Sequence, residues 1–499
     1  VICPNGYTGF IDEEPPKTCA YSLEHILDSD GTTKENRKMM DAAKTLIADI
    51  ESTFPGRVAY IVGGAVRDVV MGHAPHDVDI ATNADIDALT ERYGAVNIGK
   101  SKEFGIVDVG FGGERFEVAA FRVETGTLNS RHPERVKFVD DLREDLARRD
   151  FTINSMALGV GGIIDPHDGQ KDIRDKVIRA VGIAHERFQE DALRILRAAR
   201  FAARLGFTIE AATKASMIDH VSLMEKLSKE RIRDELVKVA SVSGAALAQF
   251  VEIMDEISAL DLVCPCVRGM KGFEHTPETH PEGGVYEHTL AALRKSRSSN
   301  PLVNLAVLFH DIGKPPTRTY NDHGHVCYKG HEAVGAKMFR EVAEHLKFSN
   351  EQTNAILFAI ENHMIAHRLH TMKKSKLVNI RQSPFYEVLI ETCYADDASR
   401  GEMFDEADFQ KRADRVESLY QVIGEREEFE ARMKKYVHGR MIMDIAAESG
   451  VVLQGVQIGS IKKMVRETVV ESNFEMEPGD AEKLVRALVA GISKSGALC

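Results

Sequence analysis

Apolar and polar residues alternate in short runs up to about residue 160, then recur every three to four positions from about residue 186 onward. Residues 36–52, ENRKMMDAAKTLIADIE, carry helical spacing. In RVAYIVGG, the run from Val58 to Val62 reads as a strand stopped by two glycines. GAVRDVVMG then reads as a short helix and DVDIAT as a second strand. Ile106–Phe111 and Arg115–Phe121 are further strands, with Gly112 and Gly113 turning the chain between them. Farther on, EDALRILRAARFAARLGF and KERIRDELVKVA are the clearest helices. Gly-, Pro- and His-rich stretches at 264–285 and 313–330 read as loops between helices. The expected fold class is α+β. An N-terminal extension and helix (1–54) precede a small mixed α/β head (55–185), and three mainly helical parts follow (186–265, 266–400 and 401–499). Residues 1 to about 35 carry no recognisable chemistry.

Length and composition narrow the class. A chain of 499 residues has room for about three domains. Its 43% hydrophobic and 28% charged content is that of an ordinary folded protein. No apolar run reaches the ~18 residues that span a bilayer. The opening VICPNGYTGFIDEEPP lacks a basic start followed by an apolar core, so no secretory signal is expected, and the start at Val1 leaves a preceding segment open. Seven cysteines are too few for a disulfide scaffold, and Cys264 and Cys266 have poor zinc spacing. Reduced thiols and a cytoplasmic location are the expectation. A net charge of −13 argues against a protein that coats nucleic acid non-specifically, but leaves room for a local basic groove. Of 19 histidines, many bunch between His275 and His370, a first hint of a metal site.

Chemistry concentrates first at GGAVRD, followed by Asp77 and Asp79. Two carboxylates at i and i+2 on a strand point to one side, and their repulsion calls for a cation. Mg²⁺ favours such hard oxygen ligands when it also holds phosphates. Gly63 and Gly64 let backbone N–H groups approach a triphosphate at a helix start, and Arg67 adds a charged contact. Read alone, the Asp pair is a solvated strand end; the glycine turn before it reverses the odds. Glu117, on a neighbouring strand candidate, would complete the three acids of two-metal phosphoryl transfer. In RRDFTINSMAL, the adjacent Arg148 and Arg149 could clamp phosphates, while Asp150 and Asn154 could bond a ribose or orient the arginines; read alone, the segment is equally a solvated loop. Asp191 and Arg194, three apart, are expected on one helix within ~60° of each other, either as a surface ion pair or as a donor/acceptor edge offered to a base. Arg197, Arg200 and Arg204 would continue a basic stripe suited to backbone phosphates.

GGAVRD…DVD, RFEVAAFR, SRHPERVKF…DLARRDFTINSMAL and EDALRILRAARFAARLGF occur in an order that resembles class II tRNA nucleotidyltransferases, the CCA-adding enzymes, whose superfamily includes bacterial poly(A) polymerases. The likeness covers about residues 57–240. It implies a nucleotidyltransferase head with a helical neck, body and tail, and addition of C, C and A to tRNA 3′ ends from CTP and ATP. By that resemblance Asp77, Asp79 and Glu117 are the catalytic acids, with Mg²⁺ on the two aspartates. Gly63, Gly64 and Arg67 form the triphosphate cradle. Arg149, Asp150 and Asn154 form the second nucleotide block, and Asp191 with Arg194 is the protein template for C and A. Arg122 and Arg131 match positions at a flexible loop, about Glu124 to Arg135, that serves the switch to A.

A second set follows. His288, His310 with Asp311, His331, His363 and Asp396 lie on helical segments, and four such N/O ligands can surround a transition metal or Mg²⁺. The order H…HD…H…H…D resembles the HD phosphohydrolase domain that some bacterial CCA-adding enzymes carry after the neck. The resemblance maps the family's four ligands onto His288, His310, Asp311 and Asp396, with His331 and His363 as its additional histidines and a divalent metal of unspecified identity. Asp397 leaves the last ligand open by one position. Lys314 is either a phosphate contact or a solvated loop lysine. The hydrolase substrates implied are phosphomonoesters or 2′,3′-cyclic phosphates.

Competing readings are a poly(A) polymerase, a CC-only or A-only enzyme, and a metal-dependent phosphohydrolase whose head only binds nucleotide. The absence of a basic tail disfavours the first, and intact Asp77 and Asp79 disfavour the last. The expected partners are tRNA, CTP and ATP, with no membrane; oligomeric state stays open.

Overall fold

A computed structural model describes residues 34–75, 77–95, 104–128, 132–274 and 281–495. The N-terminal extension before Lys34 and Arg131 lie outside the described residues. Helix α1 (Lys34–Thr53) turns Met40, Ala43, Leu46, Ile47 and Ile50 inward at helical spacing. A six-stranded sheet follows, built from β1 (Ala59–Val62), β2 (Asp79–Thr82), β3 (Ile106–Phe111), β4 (Glu114–Ala120), β7 (Ala157–Gly159) and β8 (Gly162–Ile164). Its strand order is β3-β4-β2-β1-β7-β8. Helix α2 (Gly64–Val70) leaves β1 directly and returns the chain toward β2, after which comes helix α3 (Ile86–Tyr93).

Register decides what this sheet presents. Antiparallel β1 and β2 pair Val62 with Asp79, and parallel β2 and β4 pair Ile80 with Val118. One step back from that last pair, Asp79 and Glu117 occupy matching positions and so share a face. Ile80 and Val118 are buried on the other face, which anchors the register.

Two expectations need correction here. The segment read as a loop, Glu124 to Arg135, mostly forms a two-stranded antiparallel ribbon, β5 (Arg122–Leu128) with β6 (His132–Phe138). The single helix read through EDALRILRAARFAARLGF is broken at its start. Helix α4 (Ala184–Glu190) ends at Asp191, which is extended (φ −149°, ψ 105°). The Asp191 carboxylate accepts the Leu193 N–H at 3.0 Å and so helps start a new helix, Leu193–Leu205 (α5). Asp191 and Arg194 are therefore not neighbours on one helical face.

The chain divides into two compact units. One holds residues 1–231 with 256–259, the other 232–255 with 260–499. In the second unit, helices α6 (Val285–Lys295), α7 (Pro301–Phe309), α8 (His331–His345), α9 (Asn350–Asn362) and α10 (Tyr386–Ala398) carry the histidine-rich motifs. Residues 303–309 of α7 are buried throughout, which is why LVNLAVLF reads as apolar on all sides. A separate core runs from Ile365 to Ile492, so α11 (Glu406–Ile423) and the last helices pack into one body with the segment before residue 400. Among the described residues, no helix is long and apolar enough to cross a membrane.

Candidate functional site

In the head, the chain leaves β1 through Gly63 at φ 72° and ψ −133°, a conformation that L side chains rarely adopt. A methyl group there would meet Arg149 Nη1 at 3.1 Å and Asp79 Oδ2 at 3.9 Å. Gly63 thus brings backbone, guanidinium and carboxylate to one point. Burial, then the charges of Asp77 and Glu117, push the Asp79 carboxyl up to about 6, while Arg149 pulls the other way. A carboxyl surrounded by two others is the electrostatic signature of a site that favours a cation. The three acids are within electrostatic reach of one another, yet they are not among the groups whose ligand atoms all lie within 4.8 Å.

Gly63→Ala is expected to cost ~1–3 kcal/mol of stability through backbone strain and to displace Arg149. Thermal denaturation and a nucleotide titration on the same variant check both. Unchanged affinity would show that Arg149 does not serve the nucleotide.

The segment expected to be the second nucleotide block, Arg149 to Asn154, joins Arg67 and Arg197 in a hydrogen-bonded chain. Arg67, buried, donates to Asp68 Oδ1 at 2.7 Å and to Asn154 Oδ1 at 2.8 Å. Asn154 Nδ2 donates to Asp150 Oδ1 at 3.2 Å, and Arg197 Nε donates to Asp150 Oδ2 at 2.7 Å. Burial alone would raise the Asp150 carboxyl; Arg197 outweighs it and holds it below the usual range. Arg67, Arg197 and Arg200 all lie over the Phe201 ring, Arg200 at 4.3 Å. The expected phosphate stripe is corrected accordingly: Arg200 is buried, Arg197 is committed to Asp150, and Arg204 alone of the three is exposed. Arg122 donates through Nη1 to the Phe104 carbonyl at 2.6 Å.

Asp191 and Arg194 are each held by other groups. Arg231 pairs with Asp191 Oδ2 at 2.7 Å. Arg194 donates to Glu190 Oε2 at 2.6 Å and to the carbonyls of Arg148 and Arg187. Sequence reading missed Asp145, which is buried and pairs with both Arg148 and Arg149. The spacing i, i+3, i+4 in DLARR was the available signal.

In the second unit the imidazoles converge. Asp311 Oδ2 lies 3.1 Å from His310 Nε2, 3.5 Å from His288 Nε2 and 2.5 Å from Lys314 Nζ. Its Oδ1 lies 3.3 Å from His331 Nε2 and 3.8 Å from His363 Nε2. The groups His288–His310–Asp311 and Asp311–His331–His363 thus share one carboxylate. At Nδ1, His310, His331 and His363 each face a backbone carbonyl at 2.8 Å, those of Val307, Tyr328 and Ile360. Carbonyls only accept, so Nδ1 carries the proton and Nε2 of the neutral ring keeps a lone pair. His331 and His363 present those nitrogens to each other at 3.0 Å. This donor set, with Nδ1 anchored behind it, fits divalent metal.

Geometry separates the two neighbouring aspartates. Asp396 Oδ1 lies 3.1 Å from His288 Nε2 and 3.8 Å from His310 Nε2, whereas Asp397 pairs with Arg400, Arg412 and His367. Lys314 is buried, not a solvated loop lysine. Burial works against charge on His288, but bonds to Asp396 and Glu282 outweigh it and hold the ring up to about 9. Burial, then the neighbouring His310, drives His363 down to about 3. Burial would raise Asp311, yet His310 and Lys314 hold it well below the usual range. Glu282, 2.6 Å from His288 Nδ1, was missed in the sequence, where it sits in a loop with no periodic signal.

Comparison with known proteins places these geometries. Residues 59–179 match the family model "Poly A polymerase head domain", 206–268 the model "Probable RNA and SrmB- binding site of polymerase A", and 285–419 the model "HD domain". A CCA-adding enzyme of Lactobacillus delbrueckii subsp. bulgaricus is 43% identical over 219 residues, 43% of this chain and 54% of that protein. One from Staphylococcus aureus is 43% identical over 205 residues, 41% of this chain and 50% of that protein. The chain spans about half the length of the curated relatives it matches. The crystal structure of the Bacillus stearothermophilus CCA-adding enzyme in complex with CTP superposes with a TM-score of 0.66, covering 91% of this chain and 98% of that one at 23% identity. A Thermotoga maritima CCA-adding enzyme complexed with tRNA gives 0.54 at 17% identity, covering 94% and 98%. The chain therefore resembles CCA-adding enzymes in its head sequence and shares their fold, a mixed α/β head with a mostly helical remainder.

Proposed function

We propose that this chain adds C, C and A to tRNA 3′ ends from CTP and ATP, and that its second unit carries a metal-dependent phosphohydrolase centre. The observation that carries the first part is the register-matched pair Asp79 and Glu117 beside Asp77, with Arg149 reaching over Gly63 into the same point. Asp77 and Asp79 would hold Mg²⁺, with Glu117 completing the acidic set, and the bound ion would supply charge neutralisation on a triphosphate. Gly63 and Gly64 leave room for phosphates against the backbone, and Arg149 would orient them. The chain Arg67–Asn154–Asp150–Arg197 fixes the floor of the nucleotide pocket. Asp191 and Arg194 would read the base after exchanging their present partners, Arg231 and Glu190. The reading assigns the head to transfer, residues 186–265 to nucleotide and tRNA contact, and 266–400 to hydrolysis. It also puts the protein in the cytoplasm with its tRNA.

The deciding experiment supplies tRNA lacking its 3′ CCA with each nucleotide singly and in pairs, and sequences the product ends. Addition that stops at CCA is expected. Long A tracts would install the poly(A) reading, and products ending in CC or in one A would install a partial-addition enzyme. In the same assay Asp191→Ala should admit U and G; unchanged selectivity removes the template role.

At the HD centre, His288, His310, Asp311 and Asp396 would hold a divalent cation, and the Asp311–His331–His363 group offers ligands for another. Bound metal would supply Lewis-acid activation of a phosphoester. His310→Ala should abolish hydrolysis and leave nucleotide addition intact. Loss of both activities would show that the two centres are not independent.

A further inference from the structure

Between Lys314 and His331 the chain leaves the histidine cluster, makes a short hairpin and returns. The hairpin strands are β11 (Thr319–Tyr320) and β12 (Val326–Cys327), which follow the two-residue strands β9 (Val177–Ile178) and β10 (Thr208–Ile209) in chain order. Residues 318–325 are exposed throughout. Tyr320 is 60% exposed, unusual for a large ring in a segment anchored at both ends. Arg318 lies over it at 5.2 Å, bonds its hydroxyl at 2.5 Å and reaches the Phe273 ring at 5.7 Å. Toward the cluster, Lys314 sits 5.9 Å from the Tyr328 ring and touches Asp311, while the Tyr328 carbonyl holds His331 Nδ1. Lys314 and Tyr328 thus stand on the Asp311 side of the segment and Arg318, Phe273 and Tyr320 on its outer side, with Arg318 within electrostatic reach of Tyr328. Residues 314–329 carry three Lys or Arg against one Asp, in a chain whose net charge is −13.

Aromatic faces interleaved with guanidinium and ammonium groups are how proteins hold single-stranded nucleic acid: bases stack on the rings while cations meet phosphates. We infer that the Arg318–Tyr320 hairpin is a base-stacking platform for the HD centre, selecting phosphoesters that carry a nucleobase beside the reacting phosphate. This rests on the proposed hydrolase reading and narrows its substrate class. Lys314 would meet the phosphate and Tyr320 the neighbouring base. A free nucleotide and an RNA end share this chemistry.

The test uses the full chain loaded with Mn²⁺. The substrates are an RNA trinucleotide ending in a 3′-phosphate, the same trinucleotide with abasic riboses, and a 3′-mononucleotide. The expected result is kcat/KM roughly 10-fold higher for the base-bearing trinucleotide than for the abasic one, the size of one stacked base. Tyr320→Ala should erase that advantage through KM and leave the abasic rate unchanged, which also certifies the variant's fold. Tyr320→Phe should keep it. A mononucleotide that matches the trinucleotide assigns the platform to single nucleotides, and a weaker one assigns it to RNA ends; both support it. Equal rates on base-bearing and abasic RNA in the unmutated protein overturn the platform alone, as does an equal loss on both in Tyr320→Ala. No turnover of any substrate removes the hydrolase reading and the platform with it.

Discussion

Asp79→Asn is expected to abolish the proposed nucleotide addition and to make the metal-free protein more stable at neutral pH. The loss of activity should be roughly 10³-fold or more, since the variant removes a charge that would fix cations at the reacting phosphate. The gain in stability follows from the same geometry. Burial, with Asp77 and Glu117 close by, lifts the Asp79 carboxyl to about 6. A raised carboxyl is one the fold prefers protonated. Below about pH 4 it is protonated in folded and unfolded chains alike, and no penalty arises. Between about 4 and 6 only the unfolded chain has released its proton, so the penalty grows with pH, and above 6 it is complete. The displacement corresponds to at most about 3 kcal/mol, less whatever solvent screens at this partly exposed side chain. The variant's melting temperature should therefore exceed that of the unmutated protein by several degrees at pH 7.5 in EDTA, and the two should converge near pH 4. Mg²⁺ should narrow the gap by stabilising only the unmutated head. A variant less stable than its parent in EDTA would mean that Asp79 rests in a satisfied ion pair, and the cation site would lose its electrostatic support.

That pairing of activity with strain was partly legible in the sequence. The strands Ala59–Val62, Ile106–Phe111 and Glu114–Ala120 stand within a residue of the runs that announced them, and Asp79–Thr82 begins two residues into DVDIAT, because all four bury apolar side chains in the head core. The aspartate–glutamate juxtaposition needed only strand parity and a parallel neighbour. Other features were hidden for physical reasons. The short strands Ala157–Gly159 and Gly162–Ile164 are too brief to show a period. The break at Asp191 depends on one residue turning extended so that its carboxylate can cap Leu193, and helical spacing continues across it unchanged. Nor can a sequence tell a phosphate-seeking arginine from a paired one. Arg197 and Arg200 share a helix and a spacing with Arg204, yet they lie over Phe201, and Asp150, 47 positions from Arg197, takes up its charge. In the second unit the order of histidines was readable, but the choice of Asp396 over Asp397 was not. It turns on which side of one helix faces His288 and which faces Arg400 and Arg412.

Asp311→Asn is the change expected to damage the second unit most. Asp311 is fully buried, and both of its oxygens face nitrogen-bearing side chains: His310, His288 and Lys314 on one, His331 and His363 on the other. Burial alone would raise its carboxyl, yet His310 and Lys314 hold it well below the usual range. A depressed carboxylate contributes stability that is present above about pH 4 and is lost as the solution is acidified through the folded value. The amide cannot supply that charge, and it leaves Lys314 and the imidazoles around an uncharged centre. Breaking a buried ion pair from one side costs roughly 3–5 kcal/mol, so calorimetry at pH 7.5 should show the second unit melting many degrees lower in EDTA. Divalent metal should raise the melting temperature of the unmutated protein by mass action and do nothing for the variant. Asp397→Asn supplies the contrast. It removes contacts to Arg400, Arg412 and His367, so stability should fall while the response to metal survives. If Asp311→Asn kept the metal-induced shift, or Asp397→Asn lost it, the ligand set would have to be redrawn around the other aspartate.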